Sequence, residues 1–183
     1  MNLFKAFAFL FALSFILHLT TNLNAQTIVI DAGHGYNPAG ENPDSRSPIE
    51  VEAALDVALR LKKLMQSTCP KWTVLLTRPD PTGWVSVAQR VAMTNSWNAD
   101  YFLSIHCNTG GAIGTETFWC KRSQSDPTDD INFATRVQNE MTTAGQFVNR
   151  RVSEDRNYLP YHLGVLSGTQ ATACLSEIGF VDS

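Results

Sequence analysis

Short apolar runs alternate along the chain with longer stretches whose apolar residues recur every three or four positions. Thr27-Ile28-Val29-Ile30 leads into Asp31-Ala32-Gly33-His34-Gly35, an apolar strand that ends on a histidine between two glycines. Glycine on either side allows a sharp turn and leaves room beside the imidazole. Tyr36 to Ser47 carries Pro38, Gly40 and Pro43, which is loop chemistry. Ser47, Pro48 and Glu50 then form a helix start with a capping-box pattern, and Val51, Ala54, Leu55, Ala58, Leu61 and Met65 give that helix an apolar stripe.

Past Pro70, Trp72 to Thr77 reads as a second strand, Arg78 to Gly83 as a loop, and Val85 to Trp97 as a second helix. Tyr101 to Cys107 is a third strand, and Gly110-Gly111 breaks the chain. Thr115 to Cys120 alternates polar and apolar residues as a half-exposed strand does, and Asp126-Pro127 opens another helix. Asn149 to Asn157 is polar and charged, which predicts a surface loop, and Thr172 to Glu177 begins a last strand. This alternation predicts an α/β fold: a single domain with a mostly parallel, twisted sheet flanked by helices.

At 183 residues with 44% hydrophobic side chains, the chain suffices for one such domain. Residues 1–25 stand apart. Lys5 is their only charged side chain, Ala6 to Leu19 is almost wholly apolar, and Leu23-Asn24-Ala25 offers a cleavage site. They read as a signal peptide ahead of a domain at 26–183, since the run is shorter than the roughly 20 residues of a spanning helix. An uncleaved anchor is the alternative. Without the leader the balance is 13 basic against 17 acidic residues, which argues against nucleic acid as a partner. Cys69, Cys107, Cys120 and Cys174 allow disulfides in an exported chain, Cys107 with Cys120 among them, or four buried thiols.

Beyond the leader only His34, His106 and His162 remain, and the first two sit at strand ends. In an open α/β sheet, groups at the carboxyl ends of parallel strands converge on one crevice. A catalytic zinc site takes three ligands from His, Asp, Glu and Cys. His34 and His106 supply two, and Glu50, Glu177, Cys107 or His162 the third. Cys107 is disfavoured because its neighbour His106 takes the other face of the strand. Glu50 has a competing role as a helix cap. Glu177 lies in the apolar run Cys174 to Phe180, where an unpaired carboxylate is costly unless it has a partner or a task.

With those residues in view the chain resembles the zinc-dependent N-acetylmuramoyl-L-alanine amidases, which cut peptide stems from peptidoglycan. The resemblance is carried by Ile30-Asp31-Ala32-Gly33-His34-Gly35, Glu50, Leu76-Thr77-Arg78, Gln89-Arg90-Val91-Ala92 with Asn95, Ala99-Asp100, Ser104-Ile105-His106-Cys107-Asn108 and Leu175-Ser176-Glu177-Ile178-Gly179-Phe180. It implies the amidase (phosphorylase/hydrolase-like) architecture, zinc on His34, Glu50 and His106, and Glu177 as the catalytic carboxylate. The implied substrate is peptidoglycan, met in the periplasm or outside the cell, with no stable membrane anchor after leader cleavage.

Arg78, Arg150, Arg151 and Arg156 are candidate contacts for an anionic stem peptide, and His162 either lines the cleft or bonds within a loop. The chain departs from the family in having Thr172 for a proline and Ser167 for an arginine, which bears on substrate contacts. The family pattern also continues through an asparagine and a further helix, so the chain is expected to be a fragment lacking its last helix. One clear helix between His106 and Glu177 leaves little room for a self-inhibiting insertion, so activity without an activator protein is expected. The rivals are a non-catalytic peptidoglycan-binding relative and a zinc hydrolase of another amide or peptide.

Overall fold

The computed structural model describes residues 25–122 and 126–182, so the leader read at 1–25 lies outside the described residues but for Ala25. In order these residues form β1 (Thr27–Ala32), α1 (Pro48–Thr68), β2 (Thr73–Leu76), α2 (Val87–Ser96), β3 (Tyr101–Asn108), β4 (Thr115–Trp119), α3 (Thr128–Thr143), β5 (Asn149–Glu154), a 3₁₀ turn (Asp155–Asn157), α4 (Gly164–Gly168) and β6 (Thr172–Phe180). Among them no helix is long and apolar enough to cross a membrane.

The six strands make one sheet in the order β2-β1-β3-β6-β4-β5. All neighbours are parallel except β4 and β6, which are antiparallel. Alternation of side chains divides the core in two. One face packs Leu103, Ile105, Cys174 and Ile178 against the stripe of α1 and against Phe133, Val137 and Met141 of α3. The other packs Phe102, Phe118, Ala173 and Leu175 against Val165 and Leu166 of α4. Ser47 caps α1 through its Oγ, which accepts from the Ile49 amide at 3.2 Å, with Pro48 in the first turn. Ser86 and Gln89 form a reciprocal capping box that starts α2 two residues later than the sequence implied.

Two strands differ from expectation. Asn149 to Glu154 is not a loop but the edge strand β5, parallel to β4. Its polar residues are accommodated because one ladder suffices at an edge and arginine stems cover apolar surface beneath charged heads. Strand β4 is not half-exposed. Thr115, Glu116, Thr117 and Phe118 are all buried, because β4 lies inside the sheet with α3 over one face. Cys107 and Cys120 do not face each other either, since β6 separates their strands, and all four cysteines are buried free thiols.

Register sets the functional row. His106 on β3 pairs with Glu177 on β6, Glu177 with Glu116 on β4, and Glu116 with Arg151 on β5. Residues paired in register share a face, so one line of chemistry crosses four strands.

Candidate active site

The turn after β1 is held from below. His34 has φ +58°, left-handed backbone that an L residue adopts only when its surroundings insist. Here two buried guanidiniums do so. Arg90 donates from Nη2 to the His34 carbonyl at 2.6 Å, and from Nη1 to the Ala32 carbonyl at 2.7 Å and to the Asp31 carboxylate. Arg78 donates from Nη2 to the Gly33 carbonyl at 2.9 Å and to the Val51 carbonyl at 3.1 Å, which ties the turn to the start of α1. Burial alone would raise the Asp31 pKa, but Arg90 and the hydroxyls of Ser104 and Thr77 hold it below the usual range. Arg78 is 0% exposed, so it is a strut under the turn and not a substrate contact as the sequence suggested. Its position after a strand resembled a rim, and only the fold reveals that it points inward.

Three donors meet above this turn. Glu50 Oε1 lies 3.0 Å from His34 Nε2 and 3.3 Å from His106 Nδ1, and the three ligand atoms all fall within 4.8 Å of one another. The two imidazoles stand nearly perpendicular, with centroids 4.6 Å apart. Gly33 makes this possible: a Cβ there would sit 2.5–2.7 Å from three atoms of the His106 ring. Glu50 therefore reaches the histidines instead of turning back to cap its helix. Burial opposes its charge, yet hydrogen bonds with His106 and His34 bring its pKa down to about 2. Burial likewise lowers that of His106. The far nitrogen of His34, Nδ1, lies 2.8 Å from Asp44 Oδ2. A carboxylate behind an imidazole fixes its orientation and raises its basicity as a ligand.

His, Glu and His with a free approach suit a divalent transition metal such as zinc, and the carboxylate behind His34 strengthens the fit. Two of the other three proposed third ligands go elsewhere. Cys107 packs in the α1 and α3 core, and His162 lies beside Cys120 and Asp155.

Glu177 stands next in the row. Its Oε2 is shut off from solvent and has no hydrogen-bond partner among the described residues. Burial first, then the nearby Glu50 and Glu116, push its pKa up to about 8 against the pull of Arg46. Glu116, across the register, is well partnered: Arg150 and Arg151 each bring Nε to 3.1 Å of its Oε2, and Asn108 Nδ2 donates to Oε1 at 2.6 Å. Two adjoining hollows of about 350 and 340 Å³ open here, and His34, Arg46, His106, Leu163 and Leu175 line both. Asp44, Arg46 and Glu116 were not singled out from the sequence. The first two lie in an irregular loop, and the third acquires its place from an antiparallel register that no local pattern encodes.

The family described as N-acetylmuramoyl-L-alanine amidase matches residues 28–183, a span that holds all of these groups. The chain belongs to that family. It is 34% identical to the N-acetylmuramoyl-L-alanine amidase CwlM of Bacillus licheniformis, over 85% of this chain and 57% of that protein. It is 30% identical to the sporulation-specific N-acetylmuramoyl-L-alanine amidase of Bacillus subtilis, over 85% and 56%. An uncharacterized cell wall amidase of Bacillus anthracis is 34% identical over 88% of this chain and 31% of its own length, so the chain spans from under a third to just over half of these curated relatives. Among solved structures, an N-acetylmuramoyl-L-alanine amidase from Clostridium difficile 630 superimposes with a TM-score of 0.71 at 28% identity, covering 87% of this chain and 82% of that one. Of the two departures from the amidase pattern, Thr172 starts β6, at the end of the strand remote from Glu177, and Ser167 lies exposed on α4.

Proposed function

We propose that the chain is an exported, zinc-dependent peptidoglycan hydrolase. It would cleave the amide bond between N-acetylmuramic acid and L-alanine, with His34, Glu50 and His106 holding the metal and Glu177 acting as proton shuttle. The observation that carries the reading is the meeting of the His-Glu-His donors beside a carboxylate whose Oε2 is buried without a partner among the described residues. Bound zinc would polarise the amide carbonyl and lower the pKa of water toward neutrality.

The chain's own residues supply the rest. Glu177, poised near neutral pH by burial and by two neighbouring carboxylates, takes the proton of the attacking water and returns one to the leaving nitrogen. His34 and His106 keep their orientation through Asp44 and the Gly33 cradle. Arg46 is exposed at the cleft and can meet an anionic stem peptide. Tyr161, and Tyr158 on the side of its ring not covered by the Arg151 guanidinium, are exposed on the same rim and offer apolar surface to a glycan. Residues 1–25 are the export signal in this reading, and the peptidoglycan strand is the partner.

The test pairs metal content with release of peptide from purified sacculi. Zinc bound by the wild type, one equivalent of it lost together with activity in His34→Ala, and a Glu177→Gln variant that keeps its zinc but releases no peptide, is the expected result. Peptide release retained by Glu177→Gln would overturn the catalytic assignment.

A further inference from the structure

A second convergence of donors lies under the wall of the cleft. Strands β4 and β5 are parallel and pair Trp119 with Glu154, so the next residue of each, Cys120 and Asp155, emerges on the same face. The chain then crosses back over that face, and His162 returns to meet them. Cys120 Sγ lies 3.3 Å from His162 Nδ1, Asp155 Oδ1 lies 2.8 Å from the same nitrogen, and the three ligand atoms fall within 4.8 Å of one another. This cluster shares no residue with the His34, Glu50 and His106 group.

Two simpler roles fit poorly. A nucleophilic triad needs the thiol and the carboxylate on opposite nitrogens of the imidazole, whereas both approach Nδ1. Burial, then Asp155, also push the Cys120 thiol up to about 12, far from a reactive thiolate. A plain hydrogen-bond cluster leaves a carboxylate that is 0% exposed with the His162 imidazole on Oδ1 and the Leu163 amide on Oδ2, and with no lysine or arginine partner among the described residues. Arg122, two residues on from Cys120, is spent on Asp130 and on the carbonyls of Thr169 and Ala171. Buried carboxylates are normally paired with a cation or bound to one.

We infer that Cys120, Asp155 and His162 form a second metal site, for a borderline-soft divalent cation of the zinc class. A thiolate, an imidazole and a carboxylate are three ligands that zinc accepts together, and the part-exposed side of His162 leaves a fourth position to water. The cation replaces the thiol proton of Cys120, which leaves to solvent, and takes the lone pair of His162 Nδ1 and an oxygen of Asp155. Asp155 is already oriented for this, since its Oδ2 accepts the Leu163 amide at 2.7 Å. The site would staple both ends of the segment carrying Tyr158 and Tyr161 to the sheet. Its role is to fix the cleft wall, not to act on substrate.

Cobalt(II) separates the two sites, because only the second offers a thiolate, and a thiolate on cobalt gives a near-ultraviolet charge-transfer band. The purified chain should bind two equivalents of zinc, and its cobalt form should show that band. Cys120→Ser and His162→Asn should each bind one equivalent fewer, and Cys120→Ser should lose the band. His34→Ala should lose one equivalent and keep the band. Circular dichroism checks that each variant is folded, and His162→Asn serves if Cys120→Ser is not. A wild-type chain without the band, or a band that survives in Cys120→Ser, overturns the second site. Zinc unchanged in His34→Ala but reduced in Cys120→Ser would count against the first site alone.

Discussion

Glu177 and Glu116 face each other in register across β6 and β4, and only one of them is paired with guanidiniums. Glu116 holds Arg150 and Arg151, while Glu177 Oε2 has no partner among the described residues. Burial and the neighbouring Glu50 and Glu116 hold Glu177 above the usual carboxylate range, so the unpaired member of this row is the one set to carry a proton.

Stability of the metal-free chain should therefore depend on pH in a definite direction. The folded pKa of Glu177, about 8, lies above its ordinary value of 4.5, so the folded state binds the extra proton. Its contribution is intact below about pH 4.5 and is lost as pH rises toward 8. The cost is a few kcal/mol at most, since each tenfold change in proton affinity is worth roughly 1.4 kcal/mol. Urea titrations of chelator-treated protein should show this decline. Glu177→Gln should flatten it, and Glu116→Gln should shift it to lower pH.

The turn under His34 should fail when its struts are cut. Arg90→Ala leaves Asp31 buried and uncompensated and should cost roughly 3–5 kcal/mol in chemical denaturation. Arg78→Lys keeps the charge but loses the fork that spans the Gly33 and Val51 carbonyls, and about 2 kcal/mol is the expected cost.

Gly33→Ala tests the close approach of β1 to His106. The added methyl overlaps the imidazole and must displace it, so metal affinity at this site should fall by about 100-fold or more. Isothermal titration with zinc measures the loss, and unchanged affinity would show that His106 is not a ligand.

Asp44→Asn removes the charge behind His34 and keeps the shape. A loss of roughly 10–100-fold in zinc affinity is expected, with the fold intact. The same titration, with melting temperature as control, separates this from general destabilisation.

The parts of the fold written in local pattern were legible. Apolar runs gave β1, β2, β3 and β6, and the stripe behind Ser47 and Pro48 gave α1. The polar hexapeptide of β5 carries no such signal, because an edge strand of arginines is stabilised by its neighbour and not by its own periodicity. His34, His106 and Glu177 stood out because they end or interrupt apolar strands, whereas the helix start at Glu50 argued for a cap and only the resemblance favoured it as a ligand; the structure brings its Oε1 to both histidines. Glu116 was hidden because its meaning arises from pairing with a strand about 60 residues away. Arg78 misled for the same reason: a guanidinium that caps backbone carbonyls in the interior looks, in sequence, like any charge after a strand.

The reversal of direction between β6 and β4 has an architectural consequence. In a wholly parallel sheet every strand would deliver its last residue to the same rim, and all chemistry would crowd there. Because β4 and β5 run the other way, the residues that follow them, Cys120 and Asp155, emerge near the start of β6, four positions back along it from Glu177. The chain thus has two delivery points on one face, and the segment between them forms a wall over the hollow. Substitutions at one can reshape the wall while the other stays as it is.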